Sequence, residues 1–109
     1  MITGDIGETA SKLVQNLYKN YLKSDIQFVT HHGFEGPSAI LNSYINADVA
    51  LWQTRDSDYA TNKNRDYNKP LQNADATYVA GDRITVITLP YKGAESVTVY
   101  PVSQPVYRP

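Results

Sequence analysis

The chain has 109 residues, of which 41% are hydrophobic and 19% charged, and its formal net charge is −1. This length fits one small domain with a modest core, and the balanced charge argues against the clustered basic residues of nucleic-acid or membrane binders. The absence of cysteine excludes a disulfide framework, thiolate zinc sites and iron–sulfur clusters. No apolar run approaches the roughly 20 residues of a membrane helix, and no signal peptide is evident. We therefore expect a soluble domain whose compartment the sequence does not specify.

The first half of the chain alternates short apolar runs with amphipathic segments. Residues 1–4 suit a short buried strand, and residues 25–30 and 48–52 predict two further strands. Between residues 8 and 22, apolar side chains recur at helical spacing, which predicts a helix with one core-facing stripe. That stripe consists of Ala10, Leu13, Val14, Leu17, Tyr18, Tyr21 and Leu22. A second helix is predicted to begin at Pro37, with Ile40, Leu41, Tyr44 and Ile45 as its apolar side.

The second half begins with a polar segment and ends in strands. Residues 53–75 predict a loop followed by a short surface helix near Pro70. Residues 76–80 and 84–89 flank Gly81-Asp82, which predicts a strand–turn–strand unit, and residues 96–100 predict another strand. The order of elements indicates an α/β fold with antiparallel strands at its end. We expect a single domain over residues 1–100 and an extended proline-rich tail over residues 101–109.

Two groups of chemically useful side chains follow predicted strands. Asp5 follows the first apolar run, and His31-His32-Gly33 follows the strand at 25–30. Ligands of open α/β sheets gather at the carboxyl ends of strands, and carboxylate oxygens and imidazole nitrogens bind zinc-like ions. If the two strands are neighbours, these groups emerge on one edge of the sheet. The alternative is that Asp5 caps the following helix and the two histidines belong to a polar loop.

Four segments in order resemble the second half of metallo-β-lactamase-fold hydrolases, and in particular their competence-protein-like branch. They are Ile2-Thr3-Gly4-Asp5, the run from Ser24 to Gly33 that ends in His-His-Gly, the run from Asn46 to Trp52, and the run from Tyr78 to Pro90. The resemblance covers about residues 1–90. It implies half of an αββα sandwich, with a mixed sheet and an antiparallel C-terminal hairpin.

The resemblance also implies roles for individual residues. Asp5 would bridge two metal ions, expected to be Zn²⁺, and His32 would bind the second of them. His31 would act beside the site on substrate phosphate or on a ligand, and the two histidines could exchange these roles. The implied activity is hydrolysis of a phosphodiester or related ester, in which the metal lowers the pKa of a bound water. Gly81-Asp82 would be a turn and not a ligand.

The chain departs from that family in its ligand set. The His-x-His-x-Asp-His motif and the histidine of the third motif are absent, and the chain has only two histidines. Because catalytic zinc usually has three protein ligands, we do not expect the chain to be an active enzyme alone. The expected partner is the missing N-terminal half or a second copy of the chain. The alternative is a non-enzymatic α/β binding or structural module that acts through self-association.

Aromatic residues and one charged segment have simpler explanations. Tyr18, Tyr21 and Tyr44 fall on predicted core faces, and we expect them to pack there. Trp52 is expected to pack in the core, with a substrate wall as the alternative. Residues 55–58 resemble a calcium loop only superficially, and we expect a solvated loop.

Overall fold

A computed structural model of the protein describes residues 1–2, 4–34 and 38–101. The α-helices are α1 (Glu8–Tyr18), α2 (Ala39–Ile45) and α3 (Asp56–Asn62). The β-strands are β1 (Ile26–Phe28), β2 (Val49–Trp52), β3 (Ala76–Val79), β4 (Arg83–Ile87) and β5 (Val97–Pro101). Short 3-10 segments cover Lys19–Leu22, Thr30–Gly33, Asp66–Asn73 and Ala94–Ser96. The predicted α/β class is confirmed.

A parallel sheet of three strands in the order β1–β2–β3 forms the centre of the fold. Phe28, Leu51 and Tyr78 are register partners across it. Ile2 adds to this order because it forms a parallel bridge with Phe28. Parallel neighbours require crossover connections, and helical segments supply each of them here. Ile2 is nevertheless exposed, so the expectation that residues 1–4 form a buried strand is wrong for this side chain.

Helix α2 covers one face of the sheet. The Gln27 amide on β1 donates to Asn42 Oδ1 on α2 over 2.9 Å, and both side chains are buried. Ser38 caps the helix by accepting a hydrogen bond from the Leu41 N–H. The prediction that this helix begins at Pro37 falls on a residue outside the described ones. Two apolar clusters fill the core, one of Leu22, Leu41, Ile45 and Ala47 and one of Val29, Ala50, Trp52 and Leu71.

Helix α1 is present, but the prediction of its buried face is largely wrong. Five members of the predicted stripe are exposed: Ala10, Leu13 by 62%, Leu17 by 72%, Tyr18 by 54% and Tyr21 by 94%. The helix buries Ser11 and Gln15 instead, and both bond to Ser38 at the start of α2. These hydrogen bonds hold a polar face inward, which apolar periodicity alone does not reveal. Tyr44 packs against the first apolar cluster, as predicted.

The predicted antiparallel C-terminal hairpin is confirmed, but it is formed by β4 and β5 and not by the strands on either side of Gly81-Asp82. The strand–turn–strand unit around Gly81-Asp82 is not a hairpin, because β3 pairs in parallel with β2 and β4 pairs antiparallel with β5. The Gly81 N–H bonds to the Thr54 carbonyl over 2.9 Å, so the turn is attached to the loop after β2. The chain therefore passes from one sheet to another at this turn. The described strands form a parallel sheet and a separate hairpin, where one mixed sheet was expected.

The polar segment after β2 is more ordered and more buried than predicted. Helix α3 already begins at Asp56, so the expected solvated loop over residues 55–58 is wrong in part. The Asp56 carboxylate accepts a hydrogen bond from Arg83 and so connects α3 to β4. Asn62, Asn68 and Leu71 are buried. The second segment of the region therefore packs against the core and is not a surface helix.

None of the helices within the described ranges is long and apolar enough to cross a membrane. The expected extended tail falls almost entirely on residues 102–109, which lie outside the described residues.

Candidate functional site

The Gly4-Asp5 and His31-His32 segments lie side by side at the carboxyl edge of the sheet. The bridge between Ile2 and Phe28 aligns the two segments, and the His31 N–H then donates to the Gly4 carbonyl over 3.0 Å. Asp5 is exposed immediately after this contact. The N-cap position of α1 is occupied by Gly7, so the alternative role of Asp5 as helix cap is not observed.

The His-His-Gly turn has an unusual backbone. His31, His32 and Gly33 all have positive φ angles, of 48°, 56° and 82°. Positive φ is uncommon for residues with a Cβ atom and persists only where surrounding contacts hold it, often at functional sites. Only glycine fits at position 33, because a Cβ there would overlap the ring of Trp52. The two imidazoles are therefore presented by a backbone that the core keeps in place.

The buried Asn68 side chain forms a hydrogen bond to this turn. Its Nδ2 donates to the Gly33 carbonyl over 2.8 Å and to the Asn62 carbonyl over 2.9 Å, and the residue is only 1% exposed. Sequence analysis did not identify this residue. The available signal was its position three residues before Leu71, which places the two side chains on the same side of a helical segment.

The two histidine rings have different surroundings. His32 Nδ1 lies 2.7 Å from the Gln53 carbonyl oxygen. Because a carbonyl only accepts, Nδ1 must carry the proton, and the neutral ring keeps its Nε2 lone pair for a metal ion or a proton. A backbone carbonyl on the second ring nitrogen is also the usual way in which proteins orient a metal-binding histidine. The His31 ring packs edge-on against Phe34, with centroids 6.1 Å apart.

A cavity of about 340 Å³, to which mostly polar residue types contribute, lies beside His32. We call it the His32 cavity; its lining includes His32, Phe34, Gln53, Arg55 and Asp58. Arg55 Nε donates to Asp58 Oδ2 over 2.9 Å, which leaves the two amino groups of the guanidinium for other acceptors. Neither Arg55 nor Asp58 was predicted to be near the histidines. They reach the cavity because the loop after β2 ends at the same edge of the sheet as the loop after β1.

Within the described residues, the predicted metal ligands Asp5 and His32 do not belong to a group of three. Over residues 1–2, 4–34 and 38–101, no three His, Cys, Asp or Glu side chains are grouped closely enough to hold a metal ion.

Trp52, at the same edge, is 2% exposed and packs edge-on against Tyr59, with centroids 5.0 Å apart. Its predicted place in the core is confirmed.

Comparison of the chain with protein-family models, curated proteins and solved structures returned no match. The geometry of the site is therefore the basis on which its chemistry is interpreted.

Proposed function

We propose that this chain contributes the ligands Asp5 and His32 to the divalent-metal site of a hydrolase that acts on a phosphodiester or related ester. The observation that supports this most directly is the hydrogen bond between His31 and Gly4, since it joins the carboxylate segment to the imidazole segment. The proposal carries with it the fold of half a metallo-β-lactamase-like sandwich. On that basis the three-stranded parallel sheet and its helices correspond to one half of the sandwich.

The residues present fit a zinc-like ion in their chemistry. A carboxylate and a neutral imidazole are ordinary zinc ligands, and His32 has its Nδ1 proton engaged by a carbonyl, which directs Nε2 outward. A bound metal ion would polarise the scissile group and supply activated water. The chain's own contribution is to orient His32 through Gln53 and to keep it exposed through the Gly33 turn, beside the half-buried His31. His31 would contact the substrate phosphate or orient a ligand.

Additional ligands are required for catalysis. A catalytic zinc usually has three protein ligands and a water, whereas this chain provides Asp5 and one or both histidines. We propose that the rest come from an N-terminal half of the same fold or from a second copy of this chain. The chain alone would then hydrolyse little.

Zinc titration by calorimetry, with molecular mass recorded alongside, tests this function. We expect micromolar or tighter binding that is lost in Asp5→Asn/His32→Ala. Asp82→Asn is the matched control, because Asp82 is exposed in the second Gly-Asp turn and is not a proposed ligand. Equal binding by the wild type and the double variant would refute the metal site. Loss of binding in His31→Ala but not in His32→Ala would overturn the assignment of His32.

A second candidate function is a structural module that self-associates through α1. The observation that favours it is the exposed pair Leu13 and Leu17, four residues apart on one side of α1, with Tyr21 also exposed in the 3-10 segment that follows. Such an exposed apolar patch is typical of an interaction surface, and a two-fold dimer would pair it with itself.

Sedimentation at several protein concentrations tests the second candidate. We expect a dimer that Leu17→Lys converts to a monomer, while Asn16→Lys, on an exposed neighbouring position, leaves it intact. A monomer at all concentrations would rule the α1 interface out.

A further inference from the structure

A second cavity, distinct from the His32 cavity, lies between the parallel sheet and the β4–β5 hairpin. Its volume is about 420 Å³, and we call it the apolar cleft. The sheet contributes Phe28, Leu51 and Tyr78, which share one row of the register. The hairpin side contributes Ile87 and Leu89. The cleft therefore has two walls and lies on the face of the sheet opposite to α2.

The lining of the cleft suits an apolar group of modest size. Most of its side chains are aliphatic or aromatic, and pockets of about 300 to 1,000 Å³ with such a lining are typical of small-molecule sites. Leu89 lines the cleft and is 72% exposed. Covering an apolar side chain of this size from water is favourable in free energy. A hydrophobic ligand in the cleft would cover this side chain.

The cleft and the His32 cavity meet at one residue. Gln53 lines both, and its carbonyl holds His32 Nδ1. A molecule that lies across Gln53 would therefore place an apolar part against Leu51 and a polar part near His32. This shared wall favours an amphiphilic ligand over a purely apolar one.

We propose that the apolar cleft binds the hydrophobic group of the substrate, so that the substrate is an ester or phosphodiester that carries an alkyl or aryl tail. This inference rests on the proposed function for the reacting end of the substrate. The tail occupies the space between sheet and hairpin, and the phosphate or carboxyl ester lies in the His32 cavity. Tail binding needs neither a metal ion nor an additional chain.

Titration of the metal-free chain with butyl, hexyl and octyl phosphate, all below their micelle concentrations, tests the proposal. The methyl resonances of Leu51, Ile87 and Leu89, which line the cleft, report its occupancy. Each methylene that enters the cleft should tighten binding by about fourfold. The ring resonances of His32 should shift with alkyl phosphates and not with octanol.

Two exposed positions provide a matched pair of variants: Leu89, which follows β4, and Val86, which lies on β4. Leu89→Asp places a charge at the cleft and should remove the dependence on chain length. Val86→Asp should leave it unchanged, because Val86 is exposed and lies between two cleft residues of the strand, on the opposite face. Both positions are exposed, so both variants are expected to fold, which circular dichroism checks.

The outcomes separate this proposal from the metal site. The dependence on chain length should persist in Asp5→Asn/His32→Ala, and it would stand even if the wild type bound no zinc. Affinity that does not change with tail length, or equal loss in Leu89→Asp and Val86→Asp, would overturn the proposal whatever the zinc result. The proposal would also be overturned if the molecular mass rose with protein concentration, fell in Leu89→Asp and did not respond to alkyl phosphates. The cleft would then hold a second copy of the chain. Chain-length dependence without a shift at His32 would overturn the placement of the polar end.

Discussion

Substitution of Gly33 by alanine tests the packing that holds the His-His-Gly turn. The new Cβ would overlap Cζ3 of Trp52 and lie 2.9 Å from its Cε3, while the backbone φ of +82° already disfavours a side chain. The backbone cost is about 1–2 kcal/mol for an L-residue in the left-handed region. Overpacking of a filled core adds about 1–3 kcal/mol, so the expected loss is about 2–5 kcal/mol in the free energy of unfolding. That is a large share of the roughly 5–15 kcal/mol by which a small domain is stable.

Gly4→Ala is the matched control. Gly4 also has positive φ, at +57°, but apart from its chain neighbours no described atom lies within 4 Å of the point that a Cβ would occupy there. It should therefore lose only the backbone cost of about 1–2 kcal/mol. Urea denaturation followed by circular dichroism measures both variants. The difference between them isolates the contact with Trp52.

The double variant Gly33→Ala/Trp52→Leu completes the test. With the indole removed, Gly33→Ala should cost no more than Gly4→Ala does, because the atoms it would overlap are absent. If Gly33→Ala in the wild-type background is no more destabilising than Gly4→Ala, the proposed role of Trp52 in holding the turn is incorrect.

Three further predictions concern single contacts. Asn68→Ala should cost about 1–3 kcal/mol, because it leaves the Gly33 carbonyl without the Asn68 donor, whereas the Asn62 carbonyl keeps its hydrogen bond from the Arg65 N–H. Asn73→Ala, on the exposed end of the same segment, should stay within about 0.5 kcal/mol by urea denaturation. Long-range ¹⁵N–¹H correlation spectra should show the neutral His32 ring protonated at Nδ1, and predominant protonation at Nε2 would contradict its bond to a backbone carbonyl. The coupling between Asp56 and Arg83 in a double-mutant cycle should be below about 1 kcal/mol and should fall with added salt, because both side chains are substantially exposed. A coupling that does not depend on salt would refute this last expectation.

Local signals in the sequence were sufficient for most of the elements. The β-branched and aromatic runs predicted β1 and β2 within two residues of their observed ends, and Leu41 and Ile45 were correctly assigned to the core. The neighbouring positions of the Gly-Asp and His-His segments also followed from sequence, since parallel strands joined by a helix place their carboxyl ends on one edge. These predictions depend on periodicity and connection rules, which act over short distances along the chain.

Long-range packing decided the features that the sequence left open. The exposed face of α1 depends on the hydrogen bonds of Ser11 and Gln15 to Ser38, more than 20 residues away. The partner of β3 depends on which strand edge is free after the sheet assembles, and no local pattern records that.

The site has the same division between sequence and tertiary structure. The sequence by itself identified the candidate side chains Asp5, His31 and His32, because residue type sets ligand and proton chemistry. Only the tertiary structure determined how these side chains are positioned and what they contact. It brought the Gln53 carbonyl to His32 and the indole of Trp52 against Gly33, because contacts between residues some 20 apart exist only after the sheet has formed.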